Sequence, residues 1–597
     1  MALSDWRVAI FHISSTGYFL GASILDMEKP GVNHDRVQWS QIAAHPFAAA
    51  TALATLCLAL HYHALSSGWR FDDGPHVFFT ATYSPWQYFF IPEIMREQSW
   101  AHITPWNAFF YESGLPFFGL NPSGHYAHLM AILYLSAVAS FFLLRLWFNP
   151  LAAFMGAALF LSMPATGTVA QLLMTGHYAY GLLFTILGFY FFVRGVRNDN
   201  LLLSVAAAGF YALACLSKEL YVPIIAIFLF YPEESWPKRL RHLWVPLAVA
   251  IAYAAMRLWV LQGIGGYGQP PLSGHLAWEE ILAGFLSTLL GNGWIAGFIV
   301  LYCIISLLIA RILRQQNINR LFLLSIAITI AMPVLPMLQS GFIDALSSRI
   351  LFFFSWMLAM ALVWLTHANR AHVITLIGVA GALIFSQQQA TATIASISNI
   401  MEKQNQFLIE NDRNGFLLPV QFKDLNYLAL MQKAKWILTG QHSPSLIHSD
   451  KELMALPQHS STTVYAYNDA CRCVQSMTKA QLLEIVSNLQ QQLNAGAHQS
   501  FGIHVAIENL GRRKLLHWQF TGPPGQFLLF VQDYGGLTLP PSGTMAFGMD
   551  IAGPANKGTH AYVYLVSPEG WIARSPDFVI NPSISNAFSW SGQSMIN

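Results

Sequence analysis

Apolar runs long enough to cross a bilayer fill the chain between residues 46 and 386, and short alternating runs follow after residue 501. A membrane-spanning helix needs about 20 consecutive apolar residues, or fewer where neighbouring helices thin the bilayer. The pattern predicts spans at 46–65, 125–148, 151–164, 178–194, 201–216, 220–231, 243–261, 293–313, 321–338, 349–366 and 371–386, about eleven in all. Two of these, 151–164 and 220–231, are short and are expected to extend through polar flanks or to stop at a cavity. No repeat of fixed period appears, which argues against a transporter built from two obvious halves. Residues 6–25 are mildly apolar but are broken by Arg7, His12 and Ser14 to Gly17, so 1–45 reads as a cytoplasmic or interfacial leader rather than a cleaved signal.

The tail, 387–597, changes pattern at Gln387 to Gln389. Residues 479–495 place Leu482, Leu483, Ile485, Val486, Leu489 and Leu493 on one helical face. Period-two runs predict strands at 501–508, 514–520, 526–532, 544–550, 560–566 and 576–580, separated by turn signals such as Gly522 to Gly525 and Pro540 to Gly543. The expected architecture is therefore a polytopic α-helical membrane domain, 46–386, followed by a soluble α+β or β-sandwich domain.

Composition agrees. Hydrophobic residues make up 54% of the chain and charged residues 10%, where soluble domains carry roughly a quarter charged. A net charge of +2 gives no basic field for nucleic acid. The bilayer is thus the one partner that composition alone demands. Cys57, Cys215 and Cys303 lie in apolar runs and read as packing residues, while Cys471 and Cys473 read as a thiol pair or a short disulfide rather than a metal site.

The distribution of Lys and Arg orients the spans, because cytoplasmic loops carry the excess. With the N-terminus inside, the inner loops hold Arg7, Lys29, Arg36, Arg145, Arg194, Arg197, Lys238, Arg239, Arg241, Arg311, Arg314, Arg320 and Arg370. The outer segments hold Arg70, Arg96, Lys218 and Arg349. Eleven spans then place the tail outside. The first outer loop, 66–124, is long and aromatic and is expected to lie on the membrane as short amphipathic helices. Residues 262–280, rich in Gly and Pro, read as a second outer loop.

Outer cations oppose the orientation rule and need another reason. Arg257 joins them near the outer end of 243–261, where an unpaired charge is costly and marks function by default. Lys218, Arg257 and Arg349 are therefore candidates to line an outward anion site, with snorkelling to headgroups as the competing reading. Arg70-Phe71-Asp72-Asp73-Gly74 places two adjacent carboxylates just past the first span. A carboxylate beside a low-dielectric wall has a raised pKa and can act as a general base, and two neighbours can divide the roles of base and metal ligand or orienter. Solvated loop acids and helix caps are the competing reading.

These residues resemble the motifs of the GT-C superfamily of glycosyltransferases, and in particular the membrane part of the protein O-mannosyltransferases that carry tetratricopeptide repeats, with their bacterial relatives. Phe71-Asp72-Asp73 resembles the family's first-loop acidic motif, and Gly119 to His128 resembles the approach to its second span. Leu216-Ser217-Lys218-Glu219 and Ser348-Arg349-Ile350-Leu351-Phe352 resemble two later motifs, so that the likeness covers about 70–365. The chain departs from the family at Thr104-Pro105, at Met163-Pro164, at Thr166 and at His177, and its tail carries no tetratricopeptide repeat, which points to a bacterial inner membrane.

The resemblance implies an inverting transfer of a sugar from a polyprenyl-phosphate carrier to a protein, glycan or lipid acceptor on the periplasmic face. Asp72 or Asp73 would be the base, and Lys218, Arg257 and Arg349 would hold the donor phosphate. Arg70, His76, Glu93, Glu112, His128, His177 and Glu219 form a second tier, with hydrogen-bonded helix residues as the competing reading for His76 and His128. The resemblance fixes no cofactor, and a divalent metal is compatible with the acidic pair. Two alternatives remain: an oligosaccharyltransferase or polysaccharide ligase using a diphosphate carrier, and a lipid-linked glycan transporter or flippase.

Overall fold

The computed structural model describes residues 45–99, 101–231, 233–261, 288–290, 326, 328–329, 346–366, 371–412, 414–420, 425–458, 463–510, 513–531, 535–547, 559–581 and 584–595. Two units are distinguished, Met1–Ala52 and Leu53–Asn597. The first is described only from His45, where it contributes the start of an apolar helix. All contacts below lie within the second.

In chain order the described helices are α1 Pro46–His61, α2 Asp73–Thr82, α3 Pro85–Phe90, α4 Pro92–Gln98, α5 Pro105–Phe118, α6 Pro122–Leu144, α7 Pro150–Ser162, α8 Pro164–Ala170 and α9 Gly176–Asn198. They continue as α10 Leu201–Ser217, α11 Ile224–Leu229, α12 Trp236–Leu261, α13 Phe352–Thr366, α14 Ala371–Glu410, α15 Leu425–Thr439, α16 Asp450–Ala455 and α17 Lys479–Gly496. Proline opens seven of them, where its missing N–H and fixed φ cost nothing. The side chains of Asn121, Asn149 and Asn200 cap α6, α7 and α10 by accepting first-turn N–H groups.

Among the described residues, five helical segments are long and apolar enough to cross a membrane: Pro46–Ser66, Pro122–Leu144, Leu173–Asn198, Trp236–Leu261 and Leu346–Trp364. The α7–α8 pair makes a sixth, bent by 60°. The bend falls where Pro164 cannot extend the hydrogen-bond ladder of α7. The expected span 293–313 lies outside the described residues, as does 321–338 apart from 326, 328 and 329, and so does the Gly- and Pro-rich stretch 263–271. The short run 220–231 breaks into a 3-10 turn, Glu219–Tyr221, and α11.

The predicted alternation sorts the contacts into two layers. Segments assigned to the inner side meet one another: Glu233 accepts from Arg197 at 2.7 Å and from the Trp147 indole at 2.5 Å, and Asp199 pairs with Arg241 at 3.2 Å and with His242 at 3.0 Å. Segments assigned to the outer side meet at the other end, where Arg70, Gln171 and Glu402 converge.

The break at 386/387 lies inside a continuous helix, since α14 runs unbroken from the apolar 371–386 into the polar 387–410. Loss of apolarity ends a membrane run but does not end a helix, because Gln, Ala, Glu and Lys are good helix formers. Helix α15 then packs back on α2 of the first outer loop, so closely that a Cβ on Gly74 would lie 2.4 Å from the Tyr427 carbonyl oxygen.

The rest of the tail holds three sheets. Strands Phe416–Leu418 (β1), Ser445–Leu446 (β2), Val464–Asn468 (β3) and Cys473–Ser476 (β4) form one of order β2-β1-β3-β4. Beyond them come Ser500–Leu510 (β5), Arg513–Thr521 (β6), Gln526–Val531 (β7), Gly535–Leu539 (β8), Ser542–Phe547 (β9), Thr559–Val566 (β10), Ile572–Arg574 (β11), Phe578–Ile580 (β12) and Asn586–Gln593 (β13). They form a sheet of order β11-β10-β7-β8, with β12 also on β10, and a sheet of order β13-β5-β6-β9. Their inward residues, among them Phe501, Ile503, Trp518, Leu529, Val563 and Leu565, share one core. That is the expected sandwich. Helix α17 coincides with the predicted amphipathic helix and buries Leu482 and Val486.

Candidate functional site

The first outer loop begins as a tightly wired turn. Phe71 has φ +42°, a left-handed conformation that costs a non-glycine residue about 1–3 kcal/mol. What holds it is visible on both sides. The Phe71 ring packs on a cluster of Leu172, Met174, Ile394 and Leu346. The Arg70 N–H donates to Asp73 Oδ2 at 2.6 Å, while the Asp73 N–H returns to the Arg70 carbonyl at 2.9 Å. The Arg70 guanidinium, 4% exposed, donates to Glu402 of α14 at 2.8 and 2.9 Å and to the backbone and side-chain oxygens of Gln171 at 3.0 Å. Asn405 of the same helix donates to the Trp69 carbonyl at 3.2 Å.

The two carboxylates of this turn are not equivalent. Asp73 is fully buried, and Tyr111 donates to its Oδ1 at 2.6 Å. Burial pushes the Asp73 carboxyl up to about 7, with the Tyr111 and Arg70 hydrogen bonds opposing the rise and the Asp72 charge adding to it. Asp72 is half-buried at the start of α2, and its carboxylate does not cap that helix.

His76, one turn along α2, lies 2.9 Å from the Asn107 amide through Nε2. Burial lowers the His76 pKa, the Asp72 charge opposes this, and the Lys218 charge adds to it. Lys218 sits at the end of α10, with its ammonium 5.5 Å from the centre of the Tyr178 ring. Its field also reaches His102 and the buried His177. Among the described residues, His177 Nδ1 is buried without a hydrogen-bond partner. Burial is likewise the main cause that lowers the His102 pKa.

Arg257 has a carboxylate partner: it forms an ion pair with Glu219 and donates to the Ala101 carbonyl at 3.3 Å. Glu219 also meets His102 Nδ1 at 3.1 Å and accepts the Ile103 N–H at 2.9 Å. Pairing explains how an arginine is tolerated in the apolar C-terminal half of α12.

The structure joins Arg257 to Glu219, the residue after Lys218, and joins Arg70 to Asp73, the residue after Asp72. Other expected residues make contacts of their own. Arg349 donates to the Leu346 carbonyl at 3.3 Å, and no described contact joins it to Lys218. Glu93 is spent on Arg96 at 2.8 Å. His128 bonds the Tyr180 hydroxyl at 2.9 Å and stacks on Phe110, as a helix residue does. Glu112 is half-buried on α5, and burial raises its pKa. No group of three His, Cys, Asp or Glu suited to a metal ion occurs among the described residues.

Glu402, Gln171, Tyr111, Asn107, His102 and Tyr178 carry no motif. The one sequence signal was Glu402 itself, a carboxylate one helical run past the last apolar span.

Along most of its length the chain is similar to ArnT. The structure of ArnT from Cupriavidus metallidurans bound to undecaprenyl phosphate aligns over 84% of this chain and 99% of that chain, at 11% identity and a TM-score of 0.42. The same protein in the apo state aligns over 84% and 98%, at 12% identity and a TM-score of 0.33. No family of sequences and no curated protein matches the chain. Cys471 and Cys473 are joined in a disulfide at the exposed turn between β3 and β4.

Proposed function

We propose that the chain is a GT-C-type membrane glycosyltransferase that moves a sugar from a polyprenyl-phosphate carrier to a protein or envelope-glycan acceptor, with inversion, on the outer face of a bacterial inner membrane. The observation that carries this reading is the Glu219–Arg257 ion pair next in sequence to Lys218, together with the half-buried Asp72 on the turn clamped by Arg70 and Asp73. A base and a cation are what such a transfer requires.

Asp72 is the base in this reading. It is the half-buried member of the pair, whereas both oxygens of Asp73 already accept hydrogen bonds that fix the turn. Asp72 withdraws the proton as the acceptor oxygen attacks the anomeric carbon. The carbon–oxygen bond to the carrier phosphate breaks on the opposite side, which inverts the centre. Negative charge grows on the departing phosphate and is met by Lys218. Arg257, tied to Glu219, supplies a fixed positive field beside it. Arg349, in the 3-10 turn Leu346–Leu351 before α13, is the remaining phosphate candidate.

A transporter would share the 60° break between α7 and α8. That break, however, leads within a few residues to Gln171, which accepts from Arg70 on the turn that carries Asp72 and Asp73. Mass spectrometry of envelope proteins and glycans from cells with and without the gene tests the proposal. One glycan modification disappears if it is right, and an unchanged profile in cells that express the protein overturns it.

A further inference from the structure

Far along the chain from the loop just described, the tail contains a cavity of about 230 Å³ between α16, α17 and β11. Its wall is built by three sequence patterns that meet. Helix α17 turns Leu482 and Val486 into the core, and a Cβ on Gly496 would lie 2.0 Å from the Ile572 carbonyl, so the helix end is seated directly on β11. Gln490 and Asn494, four residues apart, then share one face of α17 and both line the cavity. Helix α16 brings Asp450 and Lys451, and β11 brings Arg574.

Asp450 and Arg574 are each nine-tenths or more buried. The Asp450 carboxylate accepts from the Tyr564 hydroxyl and, at 3.4 Å, from that of Tyr562. The Arg574 guanidinium lies 4.1 Å from the centre of the Tyr562 ring and donates to Asp577 at 2.5 Å and to the Ser575 carbonyl at 3.2 Å. Its Nε–H is buried and makes no hydrogen bond among the described residues, the nearest carboxylate oxygen being that of Asp450 at 3.8 Å. A buried donor left open is costly, and groups of this kind are normally satisfied by a partner.

The charges cancel. Asp450 and Asp577 are matched by Arg574 and Lys451, and Lys451 reaches Asp577 at 3.3 Å. A cavity with no net charge does not select an anion or a cation. It offers donors from Arg574 and Lys451, acceptors from Asp450, both kinds from Gln490 and Asn494, and apolar contact from Leu493, Met454 and Met595. Dense alternating hydrogen-bonding groups around an apolar patch match a neutral pyranose, whose hydroxyls ring a C–H face.

We propose that this cavity binds a neutral monosaccharide unit, as the terminus of a glycan held by the tail. The cavity chemistry carries this inference by itself, whether or not the chain is a transferase.

Saturation-transfer NMR on the full-length protein in nanodiscs, with methyl glycosides of glucose, galactose, mannose and N-acetylglucosamine, tests it. At least one glycoside shows transfer to its ring protons in wild type. Asn494→Leu and Gln490→Leu change exposed residues of α17, so the fold is kept. Each weakens that binding by up to about tenfold, the loss of one hydrogen bond. Asp72→Asn, in the outer loop, leaves binding unchanged, which separates this cavity from the proposed transfer site. Absence of transfer from every glycoside overturns the proposal. So does transfer that survives both α17 variants, and so does displacement of the sugar by inorganic phosphate.

Discussion

Glu402→Ala leaves the Arg70 guanidinium buried with its carboxylate removed. Arg70 is 4% exposed and Glu402 8%, so neither charge is rescued by solvent. Breaking a buried pair by deleting one partner costs about 3–5 kcal/mol, because the remaining charge stays desolvated. Arg70 keeps its two bonds to Gln171, which puts the expected loss near 3 kcal/mol. Glu402→Gln retains an acceptor at the same place but loses the charge, and about 1–2 kcal/mol is expected. The double variant Arg70→Met, Glu402→Met removes both charges and fills their volume. It should lie within about 1 kcal/mol of wild type, since apolar replacement of a buried pair is often neutral. Gln171 tolerates that change: its carbonyl still accepts from Tyr126 at 3.2 Å and its side-chain oxygen from Ser67 at 3.3 Å. The assay is SDS-titrated unfolding in mixed micelles, followed by tryptophan fluorescence. The ranking Ala worst, Gln intermediate, double Met near wild type is expected. A loss below about 1 kcal/mol for Glu402→Ala would refute the clamp, as would a double variant no better than the single.

Three further outcomes follow from the same geometry. Asp73→Asn sets an amide against the Arg70 N–H or the Tyr111 hydroxyl and should cost about 1–3 kcal/mol at pH 5. Because the folded Asp73 carboxyl is raised to about 7, its stabilising contribution is complete below the ordinary carboxylate range and is lost as pH rises through 7, so the gap between wild type and Asp73→Asn should narrow from pH 5 to pH 8 in the same unfolding assay. Lys218→Met should lower transfer by about 10²–10³ in turnover at saturating donor, in a steady-state assay of the purified enzyme, since the lost charge acts on the leaving phosphate. Reduction of the exposed Cys471–Cys473 disulfide in spheroplasts by a membrane-impermeant phosphine, followed by maleimide labelling, should modify the tail without cell lysis, and labelling that needs lysis contradicts an outer tail.

The apolar runs and the period-two runs were legible because each reports a local environment, lipid or sandwich core, through the residues themselves. Helix α17 and strands β5, β6, β7 and β10 fall within a few residues of their expected limits. Strands β8, β11 and β13 were not read. β11 is only three residues long, and along β13 the half-buried and exposed positions alternate without a continuous apolar face. The continuity of α14 was hidden because hydropathy measures where lipid ends and says nothing about where hydrogen bonding ends. In the site, Lys218, Arg257 and Arg349 drew notice because the charge-based alternation set them against the orientation rule. Asp73 did not betray its burial, because the residues that enclose it, Tyr111 and the α15 segment over Gly74, are distant in sequence. The pairing of Arg70 with Glu402 spans 332 positions and leaves no local trace.

The central claim is that Asp72 is the base of a sugar transfer, and one comparison tests it most directly. A strain lacking the gene is complemented with wild type or with Asp72→Asn, protein levels and unfolding are matched, and the affected envelope glycan is quantified by mass spectrometry. A half-buried loop side chain contributes within about 0.5 kcal/mol to stability, whereas loss of a general base costs about 10²–10⁴ in rate. The account predicts a folded, membrane-inserted Asp72→Asn protein with the modification reduced at least about a hundredfold. Wild-type levels of the modification in the Asp72→Asn strain would contradict it.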